Sequence, residues 1–159
     1  MPGPKSRMKN TEGLPIERKT MGKVIYTGLF LDDVSKSLLI DTITKQCGRL
    51  HERVLAHHMT LKFKPNESDI KDLPFGQVYS FRALAVAAND KAQAVFCTVP
   101  GGLICSNTYP HITVSVANMV SPAYSNSLLD QGTIKLDNQI TLSARLGYFD
   151  GKGDRFTLE

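Results

Sequence analysis

Two segments of the chain place a histidine two residues before a threonine, and each is set in alternating apolar residues. They are His57-His58-Met59-Thr60-Leu61-Lys62-Phe63 and Pro110-His111-Ile112-Thr113-Val114-Ser115-Val116. In an extended strand, residues i, i+2 and i+4 share a face. His58, Thr60 and Lys62 then point one way, and Met59, Leu61 and Phe63 the other. In the second segment His111, Thr113 and Ser115 oppose Ile112, Val114 and Val116. Each strand can bury its apolar face and present an imidazole, a hydroxyl and a third polar group. Two imidazoles at one cleft supply a general base and a general acid near neutral pH. Two hydroxyls beside them supply hydrogen-bond donors for an oxyanion such as a phosphate.

Alternation alone marks any half-buried strand, and threonine favours strands. The pairing of the two motifs is more informative. With four histidines and 12 threonines in 159 residues, two chance His-x-Thr matches have a likelihood of about 3 in 100. His57 alternates to the apolar face and is read as structural. His51 falls in a loop and is assigned no role.

The elements that must position these residues follow from pattern. Residues 23–31 read as a buried strand. Asp32 and Asp33 suit a helix start, and Val34, Leu38, Leu39 and Ile43 recur at helical spacing up to Gly48. Residues 57–64 form the first motif strand, ended by Pro65-Asn66, with a short helical turn over 68–73. Residues 77–88 and 92–99 read as a hairpin about Asn89-Asp90, broken by Pro100-Gly101-Gly102. Pro110 introduces the second motif strand, a short helix follows over 122–129, and residues 132–148 give one or two closing strands. The order is β-α-β, β-β, β-α-β: two roughly similar halves, each with one His-x-Thr strand.

Length favours one domain over residues 23–149, preceded by an arm over 1–22 rich in proline, glycine and charge and followed by a turn-rich tail over 150–159. The hydrophobic share is 42% and the charged share 21%, as in ordinary globular proteins. No apolar run approaches a membrane span and the start has no apolar signal core, so the expectation is a cytoplasmic protein, with the nucleus as an alternative, and no membrane partner. The formal charge is +4. Much of the excess sits in Lys5, Arg7, Lys9, Arg18, Lys19 and Lys23, against Glu12 and Glu17, a balance that favours a polyanion such as RNA. Cys47, Cys97 and Cys105 have no metal-type spacing and read as free thiols. A nucleophilic Cys105–His111 pair has only nearness in sequence in its favour. No zinc-type cluster is visible.

The paired motifs resemble the two-histidine (2H) phosphoesterase superfamily. It includes RNA 2′,3′-cyclic phosphodiesterases, bacterial RNA-ligase-like enzymes, the phosphodiesterase domains of tRNA ligases and 2′-5′ oligoadenylate phosphodiesterases. The likeness rests on His58-Met59-Thr60-Leu61, on Pro110-His111-Ile112-Thr113-Val114 and on the opening strand Tyr26-Thr27-Gly28-Leu29-Phe30. It spans about Val24 to Tyr148, and the runs His58 to Pro65 and His111 to Leu129 are similar to tRNA-ligase phosphodiesterase domains in particular. The resemblance implies an α+β, bilobal fold in which two antiparallel sheets flank a central cleft, with helices outside. It implies metal-independent hydrolysis of 2′,3′-cyclic phosphate RNA ends or nucleotides, with no cofactor. His58 and His111 would be catalytic, His58 as acid and His111 as base, an assignment that sequence does not fix. Thr60 and Thr113 would hold the nonbridging oxygens. Lys62 and Ser115 would add polar contacts from the same faces, and Tyr26 or Tyr109 would stack on a base. The expected partners are RNA ends or small cyclic nucleotides, and the expected state is a monomer. Two other readings keep the same residues: a phosphodiesterase of 2′-5′ oligoadenylates or cyclic oligonucleotide signals, and an RNA- or nucleotide-binding module without chemistry.

Overall fold

The structure, a computed structural model, describes residues 23–158, so the basic arm expected over 1–22 lies outside the described residues. β1 (Tyr26–Leu31) leads into α1 (Asp33–Cys47). The Asp32 side chain starts that helix by accepting the Ser35 N–H at 2.7 Å. Asp33 in the first turn and Lys45 in the last suit the helix dipole. α1 buries Ser35, Leu39 and Ile43, one stripe at helical spacing. β2 (Arg53–Val54) and β3 (His58–Phe63) follow, then α2 (Glu67–Ile70), where Asn66 and Asp69 form a reciprocal capping box. β4 (Val78–Ala88) and β5 (Ala92–Cys97) are a hairpin, and the Asn89 side chain closes its turn by accepting the Lys91 and Ala92 N–H groups. β6 (His111–Val116), α3 (Tyr124–Asp130), β7 (Ile134–Phe149) and β8 (Asp154–Arg155) complete the chain.

All strand pairs are antiparallel. The order β1-β3-β6-β5-β4-β7 returns on itself because β7 also pairs with β1, which closes six strands into a barrel. β2 adds to β6 and β8 to β7. The mixed α and antiparallel β character agrees with expectation, but two separate sheets flanking a cleft are not found. The reason is β7. Its 16 residues form one strand rather than two, and its stretch from Ala144 to Phe149 pairs with β1 while Ile134 to Arg145 pairs with β4. A single strand therefore joins what would have been two sheets.

The opposite seam, between β3 and β6, is thin. Only Met59 and Ile112 pair there. Beyond them the Leu61 carbonyl accepts instead from the Ser106 N–H at 2.8 Å and the Ser106 hydroxyl at 3.0 Å, both from the loop before β6. The barrel interior holds the apolar faces of both motif strands: Met59, Ile112 and Val114 are fully buried and Leu61 nearly so, among Leu29, Leu39, Ile43, Leu142 and Leu146. Burying each such side chain contributes about 1.5–3 kcal/mol, so the core fixes which way the motif faces point. A second cluster packs Leu128 and Leu129 of α3 against Ala92 and Ala94 of β5 and Val116 of β6 and holds that helix over β5.

β1 approaches β3 closely at Gly28, where a Cβ would stand 2.9 Å from the Met59 carbonyl oxygen. Backbone cannot yield there as a flexible side-chain tip could. Gly28→Ala is expected to cost about 1–3 kcal/mol, seen as a melting temperature lowered by several degrees. An unchanged melting temperature would show that β3 moves aside freely and that the close approach carries no constraint.

Candidate active site

The first histidine is brought to the site by an irregularity. Val54 lies opposite Ser115, and Met59 lies opposite Ile112. The chain advances five residues on one side while its partner advances three. Two extra residues on the β3 side produce a bulge, and Ala56 within it has a φ of 45°. His57 and His58 follow directly, out of register with β6 but bonded to β1: the His57 carbonyl accepts the Leu31 N–H at 3.0 Å and His58 lies opposite Phe30.

A cavity of about 580 Å³ lies there, lined by His58, Thr60, His111 and Thr113 together with Phe63 and Asn107. All four motif side chains thus meet in one pocket. The His111 Nδ1–H donates to the Tyr109 carbonyl at 2.7 Å, which leaves Nε2 for the cavity. The second ring sits differently: His58 Nδ1 is 2.9 Å from His57 Nδ1, and its Nε2 is 3.1 Å from the Thr60 hydroxyl. The Thr113 hydroxyl is 2.8 Å from that of Ser125, a fully buried residue of α3. If Ser125 donates, the Thr113 O–H has only a long 3.5 Å contact to the Pro122 carbonyl to give up when it serves the cavity.

Burial disfavours the charged form of both rings. His58 is pushed down to about 3, first by burial and then by the neighbouring His57 and His111. His111 is lowered by burial, opposed by its hydrogen bond to the Tyr109 carbonyl.

The remaining sequence-derived candidates, Lys62 among them, do not line this cavity. Ser115 shares the strand face of Thr113 but is fully buried; its hydroxyl donates to the Gln93 side chain at 2.7 Å and accepts the His51 N–H at 3.0 Å. Ser115 is therefore a structural residue, because the segment leading into β2 covers that end of β6. Tyr26 stacks on His58, ring centroids 4.7 Å apart at 19°, rather than offering an open face to a base. Its phenol is pushed up to about 12 by burial and by Asp154. Tyr109 lines a second cavity of about 350 Å³ that shares Asn107 and Asn126 with the first, and its hydroxyl donates to Asp130. Cys105 donates to the Thr60 carbonyl and burial raises its thiol, the opposite of an activated nucleophile.

Three residues at the site were not anticipated as functional. Ser125 supports Thr113 as described. His57, read as structural, contacts His58 through Nδ1 and Asp154 Oδ2 through Nε2, the latter at 2.9 Å. Asp154 comes from β8, in the segment expected as a turn-rich tail. The adjacent histidines were a visible signal for His57. Nothing in the sequence pairs it with a carboxylate about a hundred residues away.

A barrel whose two His-x-Thr strands deliver imidazoles and hydroxyls to one cavity has the make-up of a two-histidine phosphoesterase-like protein. The family model of the fungal tRNA ligase phosphodiesterase domain matches residues 49–145, and the chain belongs to that family. Membership supports a phosphodiesterase-type role in RNA processing. The crystal structure of a fungal RNA kinase has the same fold, with a TM-score of 0.53 at 14% identity over 89% of this chain and 45% of that one. The chain thus spans less than half of that protein's length. A search of curated proteins finds no match. Among the described residues no helix is long and apolar enough to cross a membrane.

Proposed function

We propose that the protein is a phosphodiesterase that opens 2′,3′-cyclic phosphates, at RNA ends or on nucleotides, by acid–base catalysis between two histidines. The observation that carries this reading is the meeting of His58, Thr60, His111 and Thr113 in one cavity of nucleotide size. Water attacks phosphorus as one phosphorus–ribose oxygen bond breaks. One imidazole takes the water proton and the other gives a proton to the departing ribose oxygen. The threonine hydroxyls donate to the nonbridging oxygens and stabilise the charge that grows on them.

Burial favours His58 as the base and His111 as the acid, the reverse of the assignment adopted from sequence. Burial and both neighbouring imidazoles depress His58, whereas the Tyr109 carbonyl opposes the depression at His111, which favours His111 as the ring that carries the proton. Phe63 at the cavity edge is 58% exposed and offers a face for base stacking. The second cavity continues past Asn107 and Asn126, which suits a neighbouring nucleotide and hence an RNA end.

The test is a substrate panel: 2′,3′-cyclic nucleotides, an RNA ending in a cyclic phosphate, 2′-5′ oligoadenylate and cyclic dinucleotides, each with EDTA. Opening of the 2′,3′-cyclic phosphates is expected. Cleavage of 2′-5′ oligoadenylate or cyclic dinucleotides alone would replace this substrate with a signalling one. Binding without turnover would leave a recognition module. Activity is expected to survive exhaustive chelation, because the imidazoles supply both proton transfers. Loss in EDTA with recovery on adding a divalent ion would refute the mechanism.

A further inference from the structure

We propose that Asp154 and His57 act as a positioning pair that keeps the proton of His58 on Nδ1 and its Nε2 bare, which makes His58 the base. This rests on the role given to His58 in the proposed reaction. The carboxylate of Asp154 can only accept, so the 2.9 Å contact places a hydrogen on His57 Nε2. A neutral His57 then has a bare Nδ1. The 2.9 Å contact between the two Nδ1 atoms needs one hydrogen, which must come from His58. That leaves His58 Nε2 as an acceptor, and the Thr60 hydroxyl 3.1 Å away donates to it. Every donor along Thr60, His58, His57 and Asp154 is matched in this one direction. The opposite direction needs a second proton on His57.

The rings and the carboxylate are held in place for this. Tyr26 stacks on His58, and Phe30 meets His57 edge-on with centroids 5.3 Å apart at 79°. Asp154 sits on β8, which pairs with Tyr148 and Phe149 of β7. Asp150 braces the turn before it, accepting the Lys152 and Gly153 N–H groups and the Arg155 Nε–H at 2.7–2.9 Å. When His58 takes the water proton on Nε2, its Nδ1–H stays on His57 and the His57 Nε2–H stays on Asp154. The new positive charge is thus connected to a carboxylate through one intervening ring, the logic by which a buried aspartate orients and stabilises a catalytic histidine. Asp154 lies beyond the residues 49–145 matched by the family model, so the C-terminal segment supplies this carboxylate from outside the matched part.

The test is ¹⁵N NMR of the histidine rings in the full chain, with kinetics on a 2′,3′-cyclic nucleotide. Wild-type His58 is expected as the Nδ1–H tautomer. In Asp154→Asn the amide can donate to His57 Nε2, which moves a hydrogen to His57 Nδ1 and shifts the His58 proton to Nε2. That variant is expected to lose kcat by at least ~10²-fold with KM changed by less than about threefold. Asp154→Glu is expected to restore the wild-type tautomer and part of the rate. A wild-type His58 protonated on Nε2 overturns the proposal and needs no variant to fold. So does a folded Asp154→Asn protein whose His58 proton stays on Nδ1 or whose kcat is unchanged. A wild type that turns over no member of the panel rejects the proposed reaction instead, and the tautomer is read independently of turnover.

Discussion

His58→Ala and His111→Ala are each expected to lower kcat on a 2′,3′-cyclic nucleotide by ~10²–10⁴-fold, the usual contribution of a positioned acid or base. KM should change little, because proton transfer belongs to the transition state rather than to binding. The double variant should lose little more than the worse single one, since acid and base serve one transition state. Both motif strands keep their apolar faces in the barrel, so the variants should fold. His58 adds a pH signature to that comparison. Its folded value of about 3 lies below the ordinary 6.5, so below pH 6.5 the unfolded chain binds a proton that the folded chain refuses. Stability linked to His58 is therefore complete above 6.5 and lost as the pH falls toward 3. His58→Ala should flatten that acid limb in denaturant titrations. Near-wild-type turnover by the folded double variant would reduce the two motifs to polar faces of ordinary strands.

Thr60→Val and Thr113→Val are the next largest expected effects, ~10²–10³-fold in kcat if each removes one donor to the developing oxyanion. The two should differ in kind. The Thr60 hydroxyl bonds His58 Nε2, so its loss also frees the imidazole from a partner. Thr113 instead is held from behind by Ser125. Ser125→Ala should therefore weaken catalysis less than Thr113→Val, through a mispointed hydroxyl rather than a missing one, and Thr113→Ser should retain most activity. Equal rates for Thr113→Val and wild type on the cyclic phosphate would remove the second hydroxyl from the mechanism.

Local signals in the chain were legible where local physics decides. Asp32 and Gly48 bound α1 as read, because capping is a short-range matter. The alternation of Met59 and Leu61 against His58 and Thr60 predicted the facing of β3, because burial enforces period two. Asn89-Asp90 marked the hairpin turn through its own side-chain bonds. Long-range facts were not legible. Barrel closure depends on β7 pairing with strands at both ends of the chain. The two-residue β2 has too little sequence to announce itself. Ser115 matched Thr113 in pattern, and only the covering by Gln93 and His51 separates them. The contact of His57 with Asp154 needs the bulge and the C-terminal strand together, neither of which a periodicity records.

The bulge ahead of β3 also limits how the chain can change in length. It contains two extra residues, and side chains in a strand alternate with a period of two. An even change between Val54 and Met59 preserves the facing of everything after it. Deleting one residue would turn Met59 and Leu61, now buried, toward solvent and drive His58 and Thr60 into the barrel. Deleting two would restore the uninterrupted ladder with β6 and keep the facing, but shift His58 along the barrel relative to His111. Insertions and deletions here are therefore tolerated by the core only in pairs, and by the cavity only where the offset between the two motif strands is kept.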